Sequence, residues 1–399
     1  MNQRRTDTMS TSNFGRSIEA CAMHYGEEAD AVKAYLNQGL QRALELDNRG
    51  PIRFDSDGKL SSDILEAYSQ YGFYVFESAI SPEELVDIQA DMDELRDRFP
   101  VARGANVDRL GRKALGVGCK GPGLRWSKPL SDPFGGTSIS NGRHQVKLKE
   151  LAASEDAPDD APFILSGSLQ FSDAALRIYA HPLLLRVAEA INGEDFAPFN
   201  EVLFIKDPGL GAAVSWHQDG DTHWAHEAFD EGIHGFNFMA QVYGSTPVNG
   251  VWAVPGTHKL GKIDIKAMVE EAGSERLTDA VPLVCEAGDV VICNRQLVHG
   301  SFANAGFEPR LTINFGFHRR SSVLNVKGAG IHSPAQVYTD EIIRKRSRVI
   351  GYAIDARQQK YPDEQPFEYK PFAQRNETFR WNDSARAELK DYNLLDLSI

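Results

Sequence analysis

Apolar positions recur at steps of three and four from Ser17 to Leu46, where Ile18, Ala22, Tyr25, Ala29, Val32, Leu36, Leu40 and Leu44 trace one stripe. That period predicts a helix whose stripe packs on the main body of the protein or on a partner subunit. Phe73–Phe76 is a short aromatic and β-branched run and reads as a strand. It leads into a helix start: Ser81 can cap free N–H groups, Pro82 suits the first helical position, and Glu84 can close a capping box. Leu85, Ile88, Met92 and Leu95 form that helix's apolar face. Val101–Arg143 has no clear period, and residues 172–193 read as one or two helices. The texture then changes. "EVLFIKD", "GFNFMAQVYG", "GVWAVPG", "AVPLVCEAGDVVICN" and "RLTINFGFHR" are short apolar runs separated by Gly, Pro, Asn and Asp. Strands at this spacing predict an all-β barrel or sandwich. After about Val326 the pattern is helical again, through "DEIIRKRSRVIGYAIDARQQ", and ends in a Pro-rich, aromatic arm.

The 399 residues suit one large domain with extensions, or two domains. Acidic residues outnumber basic ones, 56 to 43, which argues against general binding to nucleic acid or to anionic membranes. The opening "MNQRRTDTMSTSNFGRS" lacks the apolar stretch of a secretory signal, and no apolar run is long enough to span a bilayer. The cysteines Cys21, Cys119, Cys285 and Cys293 form no metal-type spacing. A reduced, cytoplasmic protein is the expectation. One stretch departs from the acidic balance. Between Val101 and Leu130, Arg103, Arg109, Arg112, Lys113, Lys120, Arg125 and Lys128 face only Asp108. This predicts a loop that folds over a pocket and draws in an anionic substrate, against the plainer reading of a solvated loop or a subunit contact.

"AVSWHQDGDTHW" carries the candidate chemistry. On a strand, residues two apart share a face, so His217 and Asp219 would present an imidazole and a carboxylate together, with Trp216 and Gln218 turned away. A third ligand must come from elsewhere, and His299 in "GDVVICNRQLVHGS" is the candidate. Two histidines and one carboxylate cover one face of a metal and leave the other positions open, which suits non-haem iron(II) and dioxygen. Arg310 follows 11 positions later and opens "RLTINFGF". Arg310, Thr312 and Asn314 would share one face, with Leu311, Ile313, Phe315 and Phe317 on the other. Polar inside and apolar outside fits a barrel that binds a polar ligand and packs on helices. A buried arginine needs an anionic partner, and a guanidinium grips a carboxylate through two parallel hydrogen bonds. The distal carboxylate of 2-oxoglutarate fits, with Thr312 or Ser301 as a further donor. An ion pair with an acid of the protein is the alternative.

On these residues the chain resembles the phytanoyl-CoA dioxygenase family of iron(II)/2-oxoglutarate oxygenases. The matching segments are "LFIKDPG", "WHQD", "NGVWAVPGTHKLG", "GDVV", "HGS", Arg310, and the opening "GFYVFESAISPEEL". The resemblance implies a mainly β, α+β chain built on a double-stranded β-helix, a cupin-like jelly roll over residues 61–325; the helical extension at 1–60 and the helix and extended arm at 326–399 rest on the pattern of the chain and not on the family. It implies iron(II) on His217, Asp219 and His299, and 2-oxoglutarate on Arg310 and Ser301, with Thr312 beside them and dioxygen as the oxidant. Lys206 sits in the family's Lys-x-Pro stretch as a structural residue. Where many relatives carry a tryptophan, this chain has "NFMAQVYG", so Met239 or Gln241 would line that wall of the co-substrate site. Related halogenases lack the carboxylate, so Asp219 makes hydroxylation of a small molecule the default outcome. His223, His226, His234 and Trp224, in the loop after the ligands, could contact substrate. The rival reading is an inert cupin, or one holding another metal, that binds a small molecule. The helical ends leave a homodimer open.

Overall fold

The computed structural model describes residues 11–121, 123–220, 235–328 and 335–396. Among these, two sheets enclose a cavity. The larger has the order β1 (Arg49–Gly50), β2 (Phe73–Phe76), β10 (Val290–Asn294), β7 (Phe236–Gln241), β12 (Arg310–Arg319), β5 (Phe196–Lys206), β4 (Ala161–Ser166) and β3 (Leu124–Ser127). It is antiparallel except for the β1–β2 pair. The smaller runs β6 (Val214–His217), β11 (His299–Ser301), β8 (Trp252–Ala253), β9 (Val281–Pro282). From β5 to β12 the chain crosses repeatedly between the two sheets, which is the double-stranded β-helix. β3 lies inside the stretch where no period was visible. It is a short edge strand paired only with β4, and its partly covered residues alternate too weakly to register in the sequence.

Helices α3 (Ser62–Tyr71), α4 (Pro82–Asp97), α5 (Asp173–Tyr179), α6 (Pro182–Asn192) and α8 (Asp340–Lys360) cover the outer face of the larger sheet. Along β12 the alternation has its expected result: Leu311, Ile313, Phe315 and Phe317 enter this outer core. Tyr179 of α5 packs on Phe315 at 5.1 Å between ring centroids, and Phe196 meets Phe317 edge-on at 5.2 Å. The same strand turns Arg310, Thr312 and Asn314 toward the cavity.

The single N-terminal helix expected over Ser17–Leu46 is two helices, α1 (Thr11–Met23) and α2 (Ala29–Glu45). Gly26, at φ 62°, reverses the chain between them, and the apolar stripe is shared across the corner. Both pack on the barrel. Tyr35 stacks on Trp252 at 4.6 Å, and Gly39 lies so close that a Cβ there would fall 2.3 Å from the same indole. α7 (Ile265–Ala272) adds Ile265 to this second core.

The helix start at Ser81 differs from expectation in one respect. Ser81 Oγ accepts the Glu84 N–H, as a cap should. The Glu84 carboxylate, however, pairs with the buried Arg357 guanidinium of α8 instead of closing the box. A buried cation outbids an exposed backbone N–H for a carboxylate. The C-terminal arm is compact rather than extended: it contains short helical turns at Lys370–Ala373 and Asp383–Glu388 and buries Tyr369, Phe372, Trp381 and Tyr392 in the outer core. No helix among the described residues is long and apolar enough to cross a membrane.

Candidate metal centre

β6 ends at His217, and β11 begins at His299 directly opposite it. Asp219 follows two residues on, its N–H held by the Arg295 carbonyl at 2.7 Å. Ligand atoms of His217, Asp219 and His299 lie within 4.8 Å of one another, and all three residues are buried. His217 Nε2 is 3.5 Å from Asp219 Oδ1, and His299 Nε2 is 3.9 Å from Oδ2. Each ring is fixed by the backbone two residues before it: His217 Nδ1 lies 2.9 Å from the Ser215 carbonyl, and His299 Nδ1 2.9 Å from that of Leu297. Carbonyls only accept, so both Nδ1 atoms carry the proton and both Nε2 lone pairs face the carboxylate. Two imidazole nitrogens and one carboxylate on one side of a point are a donor set for a divalent first-row metal with open positions.

The electrostatics agree with that fit. Burial, with His299, His144 and Arg143 nearby, pushes His217 well below the usual imidazole range, so it is neutral. Burial alone would raise Asp219, but Arg143 and the two histidines hold it well below the ordinary carboxylate range. Arg143 Nη1 lies 3.2 Å from Asp219 Oδ1, and Asn237 Nδ2 donates to Oδ2 at 2.9 Å.

The triad opens on a cavity that extends along β12 to Arg310. Arg310 is buried. Its Nε donates to Thr312 Oγ1 at 3.0 Å and its Nη1 to the Asn249 carbonyl at 2.9 Å. Burial lowers its pKa to about 10, which leaves it charged at neutral pH. Among the described residues no carboxylate forms an ion pair with it. Thr312 Oγ1 in turn donates to Gln241 Oε1 at 2.9 Å, and Gln241 Nε2 to the Met239 carbonyl at 3.2 Å. The structure therefore places Arg310, Thr312 and Ser301 on the cavity wall and Gln241 behind Thr312. Of the two wall candidates on β7, Met239 is the one that lines the cavity. A buried guanidinium without an acid partner, flanked by hydroxyls, suits a carboxylate of the size of 2-oxoglutarate's distal group. Lys206 pairs with Arg310 across the β5–β12 ladder and gives its amine to the Phe302 carbonyl, tying β5 to the loop after β11.

The basic loop does not reach this site. Among the described residues, none from 101 to 130 lines the cavity. Arg109 pairs with Asp97, Arg112 with Asp108 and Arg103 with Asp160, each at 2.7 Å. Charge counted along the chain missed Asp97 and Asp160, which lie outside the stretch but beside it in space. His223, His226, His234 and Trp224 lie outside the described residues.

Other wall residues escaped the sequence reading. His144 rests its ring on His217 at 4.3 Å, and burial together with Arg143 lowers its pKa to about 3. Arg295, Asn200 and Asn237 also line the wall. A signal existed for two of these: Asn237 continues the Gln241–Met239 alternation, and Asn200 the Phe204–Val202 alternation. Arg143 and His144 come from an irregular loop and had none.

A family model described as phytanoyl-CoA dioxygenase matches residues 68–312. A phytanoyl-CoA dioxygenase of Arabidopsis thaliana is 22% identical over 267 residues, 63% of this chain and 87% of the relative. Among solved structures, EctD from S. alaskensis with 2-oxoglutarate and 5-hydroxyectoine is similar at 19% identity, 68% of this chain and 80% of that one, with a TM-score of 0.46. The epimerase SnoN from nogalamycin biosynthesis is similar at 16% identity, 63% and 80% coverage, and a TM-score of 0.41.

Proposed function

This chain belongs to the phytanoyl-CoA dioxygenase family of iron(II)/2-oxoglutarate-dependent oxygenases, and we propose that it hydroxylates an unactivated C–H bond of a small molecule held in the barrel, with succinate and CO2 as co-products. In this reading His217, Asp219 and His299 hold the iron, and Arg310 with Ser301 and Thr312 holds the far carboxylate of 2-oxoglutarate. Bound there, the metal and its keto acid supply an oxidising power that side chains lack. The chain's own part is positioning and exclusion. The Ser215 and Leu297 carbonyls set the two imidazole tautomers. Asn237 and Arg143 orient the Asp219 oxygens, each of which keeps a lone pair for a cation. Phe134, Ile164, Phe204 and Val214 make the wall apolar and limit water near the reacting atoms. Residues 61–325 act as the catalytic unit, with α1 and α2 packed on one outer side and α8 on the other.

The observation that carries this reading is Arg310: a buried guanidinium, with no acid partner among the described residues, on the same cavity as the triad. An inert small-molecule cupin has no need of it. The test is succinate formation from 2-oxoglutarate by the protein with iron(II) and oxygen. Slow formation without added substrate, abolished in His217→Ala, is the expected result. Failure of the iron-loaded wild type to bind 2-oxoglutarate would overturn the reading.

A further inference from the structure

The end of the cavity remote from Arg310 has a different chemistry. Along β12, Asn314 faces inward between Val202 of β5 and Met239 of β7, and the next inward position, Gly316, lies beside Asn237. Asn200 faces in from β5 near the bulge. The row from Arg310 to Gly316 spans about 20 Å of strand. Asn200, Asn237 and Asn314 all line the cavity, and each is more than nine-tenths buried. Each has a buried Oδ1 without a hydrogen-bond partner.

Such atoms are costly unless water or a ligand meets them. The orientation of Asn237 is settled by chemistry: its Nδ2 donates to the Asp219 carboxylate, so its Oδ1 can only accept. A ligand there must bring a donor. Asn200 and Asn314 can present either end of the amide, so their partner is best served by a group that both donates and accepts. A hydroxyl meets all three demands; a carboxylate fails at Asn237. An ammonium could donate to Asn237, but Arg143 and Arg295 sit on the same wall and repel it. The remaining surface, Phe134, Ile164, Phe199 and Val202, is apolar and suits a carbon ring or short chain.

We propose that Asn200, Asn237 and Asn314 form a hydroxyl-reading subsite, so that the substrate is a compact, hydroxyl-bearing molecule without positive charge, rather than an unsubstituted acyl chain or an amine. This rests on the oxygenase reading and adds the substrate class to it. Substrate hydroxyls would replace any water that meets these oxygens in the free protein at little cost.

A matched set of probes tests this on the whole protein, loaded with iron(II) and 2-oxoglutarate without oxygen. The probes are quinate, cyclohexanecarboxylate and an aminocyclitol of the same ring size, with binding read by calorimetry. Quinate is expected to bind at least about tenfold more tightly than either of the others, since it alone meets the buried acceptors without bringing a positive charge. Asn314→Leu and Asn200→Leu should each remove most of that preference and leave cyclohexanecarboxylate binding unchanged or improved. Equal or tighter binding of the deoxy acid or of the aminocyclitol overturns the subsite. So does the absence of quinate binding while 2-oxoglutarate still binds. Loss of 2-oxoglutarate binding itself would instead strike the oxygenase reading.

Discussion

The two ends of the cavity are built on opposite plans. At one end Arg310 donates to Thr312, Thr312 to Gln241, and Gln241 to the Met239 carbonyl, so each side chain is held by the next. At the other, Asn200, Asn237 and Asn314 leave carbonyl oxygens without partners. On the proposed reading the first end is pre-organised for one co-substrate common to every turnover, where fixed geometry lowers the ordering cost of binding. The second is left unsatisfied until a particular substrate completes it, which is how a buried polar group gains discrimination. The triad sits between them, and Asn237 belongs to both: one end of its amide steadies Asp219 and the other faces the substrate.

Five measurements would break or sharpen this contrast. The largest effect is expected for His299→Ala, which removes a ligand on which both ends depend: iron content and succinate formation should fall to background. Arg310→Leu should act on one end only. It should raise the KM for 2-oxoglutarate about 10- to 100-fold, the worth of a charge-assisted contact, while probe affinity at saturating 2-oxoglutarate stays within a factor of two or so. Equal damage to both constants would mean that the ends are coupled. Asn237→Ala should weaken iron about tenfold in an anaerobic titration, the usual scale for a residue that orients a ligand. An unchanged affinity would leave Asn237 to the substrate end alone.

Gly316→Ala probes how the far end is shaped. A Cβ there would lie 2.1 Å from Phe199 and 2.3 Å from the Phe236 carbonyl. Phe199 supports the Arg295 guanidinium 4.2 Å above its ring. Overpacking should cost about 1–3 kcal/mol in chemical unfolding, with 2-oxoglutarate binding retained. The smallest effect concerns the turn behind Gln241, where Gly288 and Asp289 exchange backbone bonds with it. Burial raises Asp289 to about 6, despite N–H bonds from Ser78 and Glu286. The folded state therefore holds this proton more tightly than the unfolded one, and the associated stability is lost as pH rises from about 4 through about 6. Relative to wild type, Asp289→Asn should gain stability across that window and level off above it. A difference that does not vary with pH would show that Asp289 titrates normally.

Much of the first end could be read from the chain. Arg310 and Thr312 are spaced by two on β12, and strand geometry sends such residues to one face whatever the rest of the molecule does; Asp219 lies past the end of β6, where the Arg295 carbonyl holds its N–H. The same rule sent Leu311 to Phe317 outward to the helices. Of the second end only Asn314 was legible in this way. Asn237 and Asn200 followed alternations that were visible, but nothing local said that β5 and β7 flank β12 or that a bulge would bring Asn200 level with Asn237. Arg143 and His144 lie on no periodic element at all.

The basic loop makes the same point from the other side. Its excess charge was a sum along the chain, and the fold pairs part of it with Asp97 and Asp160 from outside the stretch. Periodicity alone therefore determined which residues share a face, because backbone geometry sets that within two or three residues. Tertiary structure decided which faces meet, which charges are neutralised and which polar atoms stay unpartnered. Those depend on strand register and on contacts between separate segments of the chain, and no local pattern encodes them.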